Sequence, residues 1–149
     1  MAYFLIFESV RDQAITNPGI ALLLDLYNDQ KGCVNQSREF EICRGVKQGD
    51  SLSSLLFNAA LEGAFRRWKR RIGEAGWRIR MSFERLTNTR YADDILVYAK
   101  SLEELMIMME LLGEELAAIG FAMHELKTKI LTTSINPRFH SVEIGGMMI

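Results

Sequence analysis

Between Leu52 and Ile119 the spacing of apolar residues changes from helical to alternating and back to helical, a succession that points to a mixed class in which helices pack on strands. Leu52, Leu55, Leu56, Ala59, Phe65, Trp68 and Ile72 recur at the interval that puts them on one face of a long helix. Asp50 or Ser51 stands where its N-cap belongs, and Gly73 or Gly76 where it ends. Trp77, Ile79, Met81 and Phe83 then alternate with Arg78, Arg80 and Ser82, which predicts a half-buried strand. Two more strands follow, Leu86 to Ala92 and Ile95 to Ala99, meeting at Asp93 and Asp94. Ser101 with Glu104 is a capping box for a second helix. This helix carries Leu102, Leu105, Met109, Leu112, Leu116 and Ile119 inward until Gly120, with Met106, Met108 and Met109 as core filler.

Thr16, Asn17 and Pro18 start an earlier helix that runs to about Tyr27, because proline in the first turn loses no hydrogen bond. Gly32 opens a hairpin of Cys33 to Gln36 and Glu39 to Arg44, turning near Ser37 and Arg38. Lys129 to Thr133 and Ser141 to Ile144 are the last expected strands, separated by a turn around Asn136 and Pro137. Helices and strands alternate around at least one antiparallel pair, so the class is α+β, with a split βαβ arrangement as one form it can take.

With 149 residues, 48% of them hydrophobic, the chain suffices for one globular domain, residues 1–149. The longest apolar runs, such as Ile20 to Leu24, fall far short of the ~20 residues of a membrane span. Met1 to Phe7 has no basic start and is stopped by Glu8, so no signal peptide is expected, and the expected location is intracellular and reducing. Cys33 and Cys43 are then two reduced thiols.

A net charge of −1 hides a separation of charge. Arg66, Arg67, Lys69, Arg70, Arg71, Arg78, Arg80, Arg85 and Arg90 face only Glu74 and Glu84 in their stretch, whereas Glu103, Glu104, Glu110, Glu114 and Glu115 form an acidic block. Either the basic stretch meets a polyanion, or the two faces partly neutralise each other. Arg66, Arg67, Arg70 and Arg71 are the candidate phosphate contacts.

Two short segments carry chemistry. Tyr91-Ala92-Asp93-Asp94 places two carboxylates at a hairpin tip. At about 4 Å and an effective dielectric near 20 they would repel by roughly 4 kcal/mol, which a divalent cation reverses, and hard oxygens suit magnesium. Aspartate is also an ordinary turn residue. Gly45-Val46-Lys47-Gln48-Gly49-Asp50 is a glycine-punctuated loop running into a capped helix, a place where backbone can approach an anion, or an ordinary strand-to-helix connection.

Taken together, Gly45 to Asn58 (GVKQGDSLSSLLFN), Arg90 to Ala99 (RYADDILVYA) and Gly120 to Leu131 (GFAMHELKTKIL) resemble, in order and spacing, successive motifs of retroelement reverse transcriptases. The Gln48-Gly49-Asp50 form is more similar to the non-LTR, LINE-type enzymes. The resemblance implies a polymerase palm domain, a ferredoxin-like split βαβ sheet with helices packed on it. It implies two-metal nucleotidyl transfer with Mg2+, from deoxynucleoside triphosphates to a DNA primer on an RNA template. Asp93 and Asp94 would be metal ligands, and Lys127 would assist the leaving pyrophosphate. Gly45, Lys47, Gln48, Gly49 and Asp50 would line the nucleotide and template pocket, with Tyr91 beneath the primer end.

The departures from the motifs shape the expectation as much. Ser51 and Ser54 stand where prolines are usual, and His124 where asparagine is usual. Phe7-Glu8-Ser9-Val10 looks like the tail of the first palm motif, whose metal-binding aspartate would then fall at Ala2. Val142 to Ile149 resembles the approach to the primer grip. The expectation is a partial palm without fingers or thumb, inactive alone, the alternative being a non-enzymatic nucleic-acid-binding or protein-interaction remnant.

Overall fold

The protein is described by a computed structural model covering residues 9–11, 13, 15–35, 38–42, 45–46, 49–74, 79–81, 84–133, 141–144 and 146–149. It is an α+β chain in two compact units, residues 1–65 and 66–149, with the division falling inside one long helix.

In the first unit, Ser9 and Val10 are buried in a short helical turn. The Gln13 side-chain amide fastens it by donating to the carbonyls of Ser9 (3.0 Å) and Ala59 (2.9 Å). Helix α1 spans Asn17–Tyr27, as the Thr16-Asn17-Pro18 signal predicts, and buries Ile20, Leu23 and Tyr27 at helical spacing. Strands β1 (Lys31–Gly32) and β2 (Phe40–Glu41) form the expected hairpin, with the first strand earlier in sequence than Cys33 to Gln36. The shift follows from Gly32, which pairs with Phe40 and lies so close to its ring that a Cβ would meet the ring edge at 2.9 Å. Lacking a side chain, Gly32 leaves room for the Phe40 ring to lie across it. The turn around Ser37 lies outside the described residues. Helix α2 spans Ser51–Glu74, and its first half buries Leu56, Ala60, Leu61, Ala64 and Phe65.

In the second unit, the last turns of α2 bury Trp68 and Ile72. The expected Trp77 to Phe83 strand appears as β3 (Ile79–Met81), paired antiparallel with β4 (Glu84–Leu86). Its flanking residues lie outside the described set. Strands β5 (Asn88–Tyr91) and β6 (Asp94–Val97) form the next hairpin. Helix α3 (Leu102–Ala118) starts as the capping box predicts. Ser101 Oγ accepts from the Glu104 N–H at 3.2 Å, while the Glu104 carboxylate accepts from the Lys100 N–H at 3.1 Å. The Glu103 carboxyl is held below its ordinary value by its own backbone N–H and by Ser101. At the other end Gly120 has φ +75, its N–H reaches the Ala117 carbonyl and the Phe121 N–H reaches that of Leu116, a Schellman motif. Met108, Leu112, Leu116 and Ile119 are the buried positions.

Strands β7 (Glu143–Ile144) and β8 (Met147–Met148) close a final hairpin, and β7 lies against α3 with Val142 and Ile144 buried. The strand expected over Lys129 to Thr133 does not form. Its place follows a 3-10 turn at Glu125–Lys127, no ladder partner is present among the described residues, and Leu131 is exposed. A β-prone segment without a partner strand gains no cross-strand pairs to stabilise it. Among the described residues the strands make four two-stranded antiparallel sheets. No described helix is long and apolar enough to cross a membrane.

Candidate active site

Pairing in the β5–β6 hairpin runs Asn88↔Val97, Thr89↔Leu96, Arg90↔Ile95 and Tyr91↔Asp94, which leaves a two-residue loop of Ala92 and Asp93. The ladder extends one step further through the Tyr98 N–H to the Thr87 carbonyl at 2.9 Å. The Thr89 and Tyr98 hydroxyls hydrogen-bond at 3.0 Å. On this braced ribbon Tyr91, Asp93 and Asp94 all face solvent, Tyr91 with 84% of its surface exposed. Both carboxylates are exposed, and in bulk water even two unit charges about 4 Å apart would repel by only roughly 1 kcal/mol, so exposure removes most of the cost of adjacent acids.

Ala92 has φ +52. Two-residue hairpin loops require positive φ at their first position and favour glycine there, whereas an L side chain in that region costs about 1–2 kcal/mol. The strain is local, and it sits beside the two carboxylates. Ala92→Gly is expected to raise the unfolding free energy by about 0.5–1 kcal/mol, the relief being partly offset by the freer unfolded glycine. Urea denaturation checks this, and a loss of stability would count against the assigned turn.

The donor set fits a hard divalent cation. Magnesium commonly takes one or two carboxylates and fills its remaining positions with water and phosphate oxygens. Among the described residues no three His, Cys, Asp or Glu side chains form a group that could hold a metal ion, so the tip offers at most the two carboxylates of Asp93 and Asp94.

In the first unit, Gly45 (φ +95) and Gly49 (φ +88) both hold left-handed backbone with open space around them, which accounts for glycine at those positions. Asp50 caps α2. Its Oδ1 accepts from the Leu52 N–H at 3.0 Å, and the Tyr27 hydroxyl donates to its Oδ2 at 3.4 Å. Lys47, Gln48 and Ala2 lie outside the described residues. In the second unit Lys127 is exposed in its 3-10 turn, and among the described residues no hydrogen bond or ion pair joins it to Asp93 or Asp94.

The candidate phosphate contacts divide. Arg67 Nε meets the Glu115 carboxylate at 2.7 Å, and Arg71 reaches Glu114 at 2.7 Å and Glu115 at 3.2 Å. The Glu114 hydrogen bond leads in raising the Arg71 pKa above its ordinary value. For these two residues the neutralising alternative holds, while Arg66, Lys69 and Arg70 are exposed. Three features of this region escape sequence reasoning: the strain at Ala92, the Thr89–Tyr98 brace, and the Trp68 Nε1 hydrogen bond to the Met108 carbonyl at 2.8 Å. Only the opposite signs of the Arg66–Arg71 and Glu114–Glu115 segments signal that those stretches meet.

The family model for reverse transcriptase (RNA-dependent DNA polymerase) matches residues 4–144. The chain belongs to that family. Among curated proteins it is 31% identical to the retrovirus-related Pol polyprotein from type-1 retrotransposable element R2 of Bradysia coprophila, over 91% of this chain and 16% of that protein. It is also 31% identical to the retrovirus-related Pol polyprotein from type-2 retrotransposable element R2DM of Drosophila melanogaster, over 59% of this chain and 8% of that protein. The reverse transcriptase relatives are thus R2 non-LTR retrotransposon proteins, and the chain spans a small fraction of their length. No solved structure gives a significant match.

Proposed function

We propose that this chain is the palm-like part of a non-LTR retrotransposon polymerase, residues 1–149 forming one domain of split βαβ type. It would take an RNA template, a DNA primer and deoxynucleoside triphosphates. The observation that carries the reading is the strained, braced hairpin that exposes Asp93 and Asp94 in successive positions in a member of the reverse transcriptase family.

Asp93 and Asp94 would hold magnesium through their carboxylate oxygens. When bound, a divalent cation supplies the charge that lowers the pKa of an attacking hydroxyl and offsets that of a triphosphate. Tyr91, exposed one residue before the loop, packs beneath the primer end. Lys127 donates to the departing pyrophosphate. Gly45 and Gly49 let the backbone approach nucleotide and template, Asp50 caps the start of α2 after them, and Lys47 and Gln48 belong by sequence to the same nucleotide and template motif.

With Ala2 at the place of the first motif's aspartate, the cation lacks a third protein carboxylate. Primer extension on poly(rA) with oligo(dT), magnesium and dTTP is therefore expected to stay near background with these 149 residues alone. Vigorous incorporation that vanishes in Asp93→Ala would show that two carboxylates suffice and overturn the expected inactivity. Vigorous incorporation that survives Asp93→Ala would overturn the assignment of the site.

A further inference from the structure

Helix α1 has two apolar faces, and its own unit buries one of them. At about 100° per residue, the buried Ile20, Leu23 and Tyr27 lie within about 60° of one another. Gly19, Leu22 and Leu26 gather as closely on a second face about 100° away, and there Leu22 keeps 60% of its surface exposed and Leu26 51%. Ile15, itself 42% exposed, continues that stripe, because its Cγ2 lies where a Cβ on Gly19 would meet it at 3.0 Å. Ile15, Gly19, Leu22 and Leu26 follow one another at intervals of four, three and four residues. That is the spacing of a seam between two packed helices, whereas apolar side chains scattered singly over a surface have none.

The charges of α1 select the helix that fits this seam. Its first turn holds no acid and the Thr16 side chain caps no N–H, so the positive end of the helix dipole is left unanswered. Its last turn holds no base and carries exposed Asp25 instead, beside the negative end, where a carboxylate is unfavourable. Asp25 has no hydrogen bond or ion pair among the described residues. One arrangement removes both defects. A second α1 laid antiparallel along the stripe brings each Asp25 next to the uncapped first turn of the other copy, and a two-fold axis makes the contact the same from both sides.

We propose that the outer face of α1, formed by Ile15, Gly19, Leu22 and Leu26, is a self-association surface that packs antiparallel against the same face of a second copy of this chain. The surface lies outside the three motifs that carry the polymerase resemblance, and it stands independently of the metal site. A single helix of 11 residues per copy buries less than the ~800 Å² a side of a standard interface, so the dimer is weak and its population depends on concentration.

The test is sedimentation equilibrium of the full chain from about 1 to 100 μM at low salt. The weight-average mass is expected to climb from that of one chain towards that of two. Leu22→Glu alters an exposed side chain and leaves the buried face of α1 untouched, so it should hold the protein monomeric across the range with its circular dichroism unchanged. Ala21→Gln, also exposed but turned away from the stripe, should dimerise as the wild type does. Asp25→Asn is expected to weaken the dimer about 3–30-fold, the contact being made twice across the two-fold axis. A mass that stays at one chain at every concentration, as it would if the stripe seats a helix of a different protein, overturns the proposal. Dimers that survive Leu22→Glu, or are lost in Ala21→Gln, overturn the assigned face. An Asp25→Asn dimer as tight as the wild type overturns the antiparallel pairing.

Discussion

Replacing Trp68 by alanine is expected to lower the unfolding free energy by about 3–5 kcal/mol, a large share of what holds a domain of this size folded. The side chain is fully buried, and so are Ile72, Met108 and Leu112 of the same unit. Its truncation leaves a cavity that helices on either side can close only in part. The hydrogen bond adds to the loss, because the indole N–H donates to the Met108 carbonyl in mid-helix at 2.8 Å. Trp68→Phe separates the two contributions. It keeps most of the apolar volume, so it should lose about 1–2 kcal/mol. Since whole domains are stable by only about 5–15 kcal/mol, the alanine variant should melt roughly 10 °C or more below wild type, or fail to fold. Urea denaturation followed by circular dichroism distinguishes these outcomes. A loss below about 1 kcal/mol in Trp68→Ala would mean that α2 and α3 are not joined through this side chain.

Much of the fold was legible because local signals agreed with one another. Pro18 within the first turn of α1, the Ser101–Glu104 box and Gly120 each set a helix end where the structure has it. Alternating segments were less reliable. Lys129 to Thr133 is rich in β-branched and apolar residues, yet strand formation depends on a neighbour that no local pattern specifies. The β1–β2 register turned on Phe40 covering Gly32, a contact across the hairpin that becomes visible only once the pairing is known.

At the candidate site the acids at 93 and 94 were legible as a pair at a turn. What the letters did not show is that Ala92 takes the left-handed conformation to present them, since alanine carries no signature for positive φ. The basic stretch illustrates the same limit. Its total charge is plain from composition, but the pairing of Arg67 and Arg71 depends on Glu114 and Glu115, more than 40 residues away along the chain.

The second large effect concerns the two carboxylates. A divalent ion about 4 Å from one carboxylate in water gains roughly 2 kcal/mol, so each aspartate that becomes asparagine should weaken binding by about 10–30-fold. Asp93→Asn and Asp94→Asn act on exposed side chains, which keeps the hairpin intact while removing the charge. Losing both should take the site below detection. The effect should be larger in the presence of dTTP, whose phosphates fill positions the protein leaves to water.

The most direct measurement is a Mn2+ titration of the isotopically labelled protein, read as paramagnetic broadening of backbone amide resonances. The amides of Tyr91, Ala92, Asp93 and Asp94 are expected to broaden at the lowest Mn2+ concentrations, and the Asp93→Asn, Asp94→Asn double variant is expected to lose this response. Broadening centred on other acidic residues, such as Glu103 and Glu104, or broadening at the hairpin that survives the double substitution, would contradict a cation site at the hairpin tip.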